Sequence, residues 1–227
     1  MQSSEKCLFP PVNIVWFKRD LRVNDHRVLA QASLSGAVLP LFVVEDELWH
    51  QPDMSARHWE FVQDCLIDLR SALHQLGQPL LVRRGRVIDV LAHFQSNYKI
   101  SGLYSHEETG NAWTFERDQK VGAWCAQNAI PWYQTQQHGT QRRLTSRNGW
   151  SRSWNRYMAQ PLTNAPILQP ISDFSVGTIP SVADLGLSPD LCAQRQKGGR
   201  ENGLERLHSF LYQRGEFYRN EMSNPLN

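Results

Sequence analysis

Two kinds of apolar pattern alternate along the first 135 residues. Val12–Phe17, Ala37–Val44, Pro79–Val82, Ile100–Tyr104 and Ile130–Tyr133 are short, nearly continuous apolar runs, rich in valine, leucine and aromatics. Runs of that length read as strands buried on both faces of a parallel sheet. Between them the apolar positions step by three and four: Val28, Leu29 and Ala32; then Phe61, Val62, Cys65, Leu66, Leu69, Leu73 and Leu76; then Val87, Val90, Leu91 and Phe94; then Phe115, Val121 and Cys125 with Trp124 alongside. That spacing predicts amphipathic helices. Asn24 or Asp25 is placed to cap the first, which Gly36 closes, and Ser55 to cap the second, which Gly77 ends. A helix over 114–127 comes after Thr109-Gly110-Asn111.

Strand and helix alternating five times is the pattern of an α/β fold, here a doubly wound, five-stranded, parallel, Rossmann-like sheet with helices on both faces. With right-handed crossovers and the common order 3-2-1-4-5, the chain switches direction between the first and fourth strands. Ligands bind such sheets at that switch, beyond the carboxyl ends of the strands. Each strand end turns abruptly charged there: Lys18-Arg19-Asp20-Leu21-Arg22 after the first, Glu45-Asp46-Glu47 after the second, and His106-Glu107-Glu108 after the fourth. Mutual pairing of Lys18, Arg19, Asp20 and Arg22 on a solvated loop is the plain alternative for the first of these stretches.

Beyond Gln134 the pattern changes. Residues 141–157 hold five arginines and three aromatics with no clean period. Such a segment can grip phosphates and stack bases, and it equally suits a loop wedged between domains. From Gln160 to Gly199, proline, serine and glycine mark a linker crossing a surface. One helix, Glu201–Met222, then carries Leu204, Leu207 and Leu211. A lone amphipathic helix cannot bury its stripe without a partner, so this tail reads as the opening of a further domain. The expected division is 1–135 for the α/β domain, 136–199 for an irregular interdomain segment and linker, and 200–227 for the start of a truncated helical domain.

A net charge of +2 announces no polyanion partner globally, so any such surface must be local. The four cysteines, Cys7, Cys65, Cys125 and Cys192, form no CxxC pair, which argues against a zinc or iron–sulfur site and a disulfide scaffold. No run is long and apolar enough to span a membrane and Met1–Lys6 has no apolar core, which points to a soluble, cytoplasmic chain without a membrane partner. GxGxxG, GxxxxGK[ST], HExxH and GxSxG are all absent, which disfavours dinucleotide, P-loop, metal-hydrolase and serine-hydrolase readings. Eight tryptophans suit core packing, with chromophore stacking or electron transfer as the sharper alternative.

Trp16-Phe17-Lys18-Arg19-Asp20-Leu21-Arg22-Val23-Asn24-Asp25 resembles the WFRRDLRxxD signature that opens the photolyase/cryptochrome family. Ser55-Ala56-Arg57 with the long helix, then Leu76-Gly77-Gln78-Pro79-Leu80 and Gly85, are similar to the next segment of that family. Gly198-Gly199 with the helix over 204–218 resembles the beginning of its flavin domain. The resemblance runs nearly end to end, but only with the family's amino-terminal part. It implies the light-harvesting-cofactor domain of a photolyase, a carbon–carbon lyase that repairs pyrimidine dimers in DNA under blue light. A cryptochrome-type blue-light receptor is the alternative, and a stand-alone nucleotide- or small-molecule-binding module a second one.

In the family, FAD and the repair chemistry belong to the helical domain, so FAD and DNA are expected only of a longer parent, and this portion is expected to be inactive. None of the tryptophans here matches the family's photoreduction chain. The resemblance implies an antenna chromophore, FMN, a deazaflavin or a related ring, walled by Phe17, Lys18, Arg19, Asp20, Arg22, Asp46, Arg57, His106, Glu107 and Glu108. Folate is disfavoured, because Asn111–Glu116 before Arg117-Asp118 lacks the Asn-Glu pair of folate-binding members. The expected partners are the antenna molecule and the chain's own helical domain, with a dimer through exposed apolar surface as a further option. A stand-alone module would instead bury Leu204–Leu211 against the sheet's helices.

Overall fold

The computed structural model describes residues 11–172 and 174–222; Cys7 and the two chain ends lie outside them. Five parallel strands, β1 (Val12–Phe17), β2 (Ala37–Val44), β3 (Leu81–Arg84), β4 (Ile100–His106) and β5 (Trp132–Thr135), form one sheet in the order β3-β2-β1-β4-β5. The predicted architecture and strand order are therefore observed. The third and fifth strands begin two residues later than their apolar runs, because in-register pairing with β2 and β4 outweighs local hydrophobicity at their ends.

β1 is buried along its whole length and shows why the sheet is covered twice. Val15 and Phe17 point to one face, where α1 (Arg27–Leu34) and α3 (Ala56–Gln75) pack; Val12, Ile14 and Trp16 point to the other, under α4 (Val87–Asn97) and α5 (Ala112–Gln127). Alternation by two sends successive side chains to opposite faces, so a strand buried at every position needs helices on both. Pro40 sits inside β2, yet pairing with β3 begins only at Leu41, so no ladder bond is required of it on that side.

Ser55 caps α3, accepting from the His58 amide, and the stripe Leu66, Leu69 and Leu73 is buried as predicted. Phe61 departs from its predicted stripe and is exposed, while Trp59 takes the buried place and donates Nε1–H to the Pro180 carbonyl. On α5 the predicted anchor Phe115 is also exposed. Val121 and Cys125 are buried as predicted, and Thr114, Arg117 and Asp118 join them on that side in place of Phe115. The α1 cap is His26, whose Nδ1 accepts from the Leu29 amide at 3.0 Å, rather than Asn24 or Asp25.

The predicted linker is a docked strap. Leu168 and Leu185 are buried in the α1/α3 core, the Leu168 amide donates to the Leu76 carbonyl at 2.7 Å, and the Val82 amide donates to the Val176 carbonyl at 2.8 Å. The strap thereby covers β3, an edge strand whose free backbone would otherwise invite other chains. Residues 141–157 are not all irregular: α6 spans Trp150–Met158. The predicted single helix after Gly199 is α7 (Arg200–Tyr212), a 3₁₀ turn over Arg214–Phe217 and α8 (Tyr218–Glu221), with Leu204, Leu207 and Leu211 exposed by 47%, 51% and 63%. The burial that a stand-alone module requires is not what these leucines show.

Candidate functional site

The carboxyl ends of β1, β2 and β4 meet, as the strand order requires, and a short helix, α2 (Asp46–Trp49), comes after β2. At their centre lies a six-member charge network. Lys18 Nζ donates to Asp118 Oδ2 at 2.9 Å, and Arg19 Nε to Glu108 Oε1 at 3.0 Å. Arg117 spreads its guanidinium across Asp118 (2.9 Å), Glu108 (3.2 Å) and Glu45 (3.2 Å), and Glu45 accepts from the Val87 amide at the start of α4 at 3.0 Å. Three cations and three carboxylates balance, which is how the five buried charges are tolerated, with Arg19 half-exposed at the edge of the network.

Burial pulls the Lys18 ammonium below its usual value, against the Asp118 charge that raises it. Burial pushes the Glu45 carboxyl up, against the Arg117 charge. Burial would also lower Arg117, but the Asp118 and Glu45 charges outweigh it and hold the guanidinium above its ordinary value. The network is also a clamp on an indole: Lys18 Nζ lies 4.8 Å and the Arg117 guanidinium 4.7 Å from the Trp16 ring centre.

Behind the network sits a second buried cluster. Asp20 Oδ2 accepts from His26 Nε2 at 2.9 Å and His106 Nδ1 at 2.5 Å, and its Oδ1 accepts from the Lys18 amide at 2.8 Å. Burial would raise the Asp20 carboxyl, but the hydrogen bonds from His106 and His26 hold it well below the usual carboxylate range. Burial holds His26 below its usual value, against Asp20. These three side chains are the one group among the described residues with converging histidine and carboxylate atoms, within 4.8 Å. A neutral His26 uses one nitrogen to cap α1 and the other to bond Asp20, which leaves it no free lone pair for a metal. The cluster ties the β1 loop to α1 and β4.

A cavity of about 610 Å³ opens beside the network, on the α3 side of the sheet. Its floor is apolar and aromatic, with Phe17, Phe42, Trp49, Met54 and Phe61, and Arg19 and Arg22 stand at its polar rim with Lys18 and Glu108. Of the predicted wall, Phe17, Lys18, Arg19, Arg22 and Glu108 thus come together. Asp20 and His106 stand behind it in the buried cluster. Asp46 pairs with Arg84 and lines a neighbouring cavity of about 230 Å³, and Glu107 lines a third with Arg142 and Arg143. Arg57 forms a bidentate pair with Asp190 of the strap and is not among the residues lining the crevice.

Sequence reasoning passed over Arg117 and Asp118 as site residues, along with Trp49, Met54 and the cap role of His26. The first two were legible: on α5 they occupy the stripe positions between Thr114 and Val121, where a polar pair can only be buried and paired. Trp49 and Met54 carried no local signal.

A five-stranded parallel sheet in this order, with a crevice beyond its carboxyl edge, defines a doubly wound α/β domain. A family model for DNA photolyase matches residues 13–143, and the chain belongs to that family. A cryptochrome DASH of Gloeobacter violaceus is 29% identical over 224 residues, 88% of this chain and 44% of that protein. A deoxyribodipyrimidine photo-lyase of Salmonella typhimurium is 40% identical over 73 residues, 31% of this chain and 15% of that protein. Among solved structures, a Synechocystis cryptochrome superposes with a TM-score of 0.75 at 19% identity, covering 93% of this chain and 48% of its own. An archaeal photolyase from Sulfolobus tokodaii, described with two FAD molecules and the implication of a novel light-harvesting cofactor, superposes with a TM-score of 0.65 at 24% identity, covering 87% and 46%. The chain spans less than half the length of these relatives.

Proposed function

We propose that the crevice between β1, β2 and α3 holds an antenna chromophore, and that the chain is the light-harvesting domain of a photolyase that repairs pyrimidine dimers. The cavity carries this reading: about 610 Å³ lies within the range of small-molecule sites, roughly 300–1,000 Å³, and an aromatic floor with a cationic rim suits a flat ring bearing an anionic tail. Trp49, Phe17 and Phe61 would face the ring, and Arg19 and Arg22 the phosphate or carboxylate. Bound there, the ring would absorb blue or near-ultraviolet light for transfer to a flavin elsewhere. FMN, a deazaflavin or the FAD named with the Sulfolobus protein all present this shape.

The exposed leucines of α7 support docking onto a helical domain, and FAD and DNA belong to that longer assembly. Blue-light signalling by a cryptochrome is the second reading, favoured by the extent of the match to the Gloeobacter cryptochrome DASH, 88% of this chain against 31% for the Salmonella photolyase. Dimer photoreversal by the full-length gene product would separate the two.

The antenna reading is tested by incubating the chain with FMN, FAD, a deazaflavin and a folate in turn. One of the first three is expected to confer blue absorbance and a raised melting temperature, and Arg19→Gln to weaken its binding about tenfold through loss of a charge-assisted bond. No new absorbance and no shift in melting with any of them would refute it.

A further inference from the structure

We infer that residues 136–157 form a surface for single-stranded nucleic acid, built on residues other than those of the chromophore crevice. From Gln119 to Ser172 the chain has no aspartate or glutamate, and it carries Lys120, Arg142, Arg143, Arg147, Arg152 and Arg156. The rest of the molecule then holds 18 basic against 22 acidic residues, a net −4, beside a segment of +6. The modest overall charge therefore conceals a strongly polarised chain.

The fold leaves these arginines unneutralised. None of the five between 142 and 156 makes an ion pair among the described residues, whereas Arg57, Arg84, Arg117 and Arg195 all do. Arg143, Arg147, Arg152 and Arg156 are exposed, and Arg142 reaches only the Gln134 side-chain carbonyl. Arg142 and Arg143 also line two neighbouring cavities, of about 350 and 300 Å³, where Glu107 stands at the first and Glu108, already paired with Arg19 and Arg117, at the second.

Ring faces accompany the charge. α6 packs inward through Trp154, whose ring covers Gly139, and through Tyr157, whose hydroxyl donates to the Gln136 carbonyl at 2.8 Å. At the start of the helix Trp150 lies 5.5 Å from Trp154 and remains 43% exposed, and Phe115, 45% exposed, lines the second cavity with Arg142 and Arg143. Arg152 and Arg156, four apart, share one side of α6. Arginines of one segment, two of them in a recess beside Phe115 and two on α6 beyond the open face of Trp150, offer cations to phosphates and ring faces to unstacked bases. A duplex offers no free base face, and a flat anionic membrane does not enter a recess.

The test is fluorescence anisotropy of a labelled sixteen-nucleotide oligothymidylate titrated with the 227-residue chain between 50 and 300 mM NaCl. Contact with three to five phosphates predicts a slope of log affinity against log salt of about −2 to −3.5, at roughly −0.7 per phosphate. The combined Arg147→Gln, Arg152→Gln and Arg156→Gln variant is expected to flatten that slope by about 2, and the combined arginine-to-lysine variant to retain it. Trp150→Ala is expected to weaken binding about tenfold at unchanged slope. These side chains are exposed, so circular dichroism and melting should match the parent. Failure to bind the oligonucleotide, binding that the glutamine variant leaves unaltered, equal affinity for a sixteen-base-pair duplex, or binding only to phosphatidylserine vesicles would each overturn the inference.

Discussion

Asp20 shows how one side chain organises the signature at the end of β1. Its carboxylate receives two imidazoles and a backbone amide, and so joins the loop to α1 through His26 and to β4 through His106. Asp20→Asn substitutes an amide that cannot accept all three, and is expected to cost about 3 kcal/mol, measurable as a lowered denaturant midpoint. The same cluster gives stability a dependence on pH. His26 has its folded pKa depressed, so the unfolded chain binds a proton first and stability falls as pH drops below the unfolded value of about 6.5. Asp20, also depressed, adds a further loss once pH falls below about 3.9, the unfolded carboxyl value. Denaturation at pH 8 and pH 5.5 should show the first loss in the parent and a smaller one in His26→Asn, which retains a capping oxygen.

At the scale of elements, the strap from Gln160 to Gly199 owes its place to packing that composition does not display. Its prolines and glycines do prevent regular structure, yet Leu168 and Leu185 are buried and Gly77 exists to receive it. Gly77 has φ +111°, and a Cβ there would come within 2.3 Å of the Leu168 carbonyl oxygen. Gly77→Ala is therefore expected to destabilise by more than the ordinary ~1 kcal/mol of a glycine replacement, through both strain and displacement of the strap. Leu168→Ala should cost about 2–5 kcal/mol and open the strap to limited proteolysis before the sheet unfolds. The long helix α3 was read well because Ser55, the stripe and Gly77 agree with one another. On α5 the aromatic Phe115 misled, since helical period and not hydrophobicity decides which side is buried.

For the whole molecule, α7 presents an apolar stripe with its demand for burial unmet. Leu204, Leu207 and Leu211 lie open in a helix anchored at its start by the Arg200 amide donating to Asp68. An open stripe of this kind drives association. Sedimentation is expected to show concentration-dependent self-association of the chain, abolished by lysine at all three positions with no fall in melting temperature. A fall in melting temperature would mean that the stripe packs within the monomer.

The architecture and the strand order were legible along the chain alone. Apolar runs of period one and stripes of period 3.6 leave few ways to bury both, and right-handed crossovers remove most of those. Tertiary structure alone decided which charges face the crevice. Lys18, Asp20, Asp46 and Arg57 look alike along the chain, but partners 100, 86, 38 and 133 residues away assign the first to the network, the second to a buried cluster and the last two to surface pairs. Long-range pairing of this kind leaves no local pattern, because an ion pair depends on proximity in space and on burial, and the chain acquires both only when the sheet has formed.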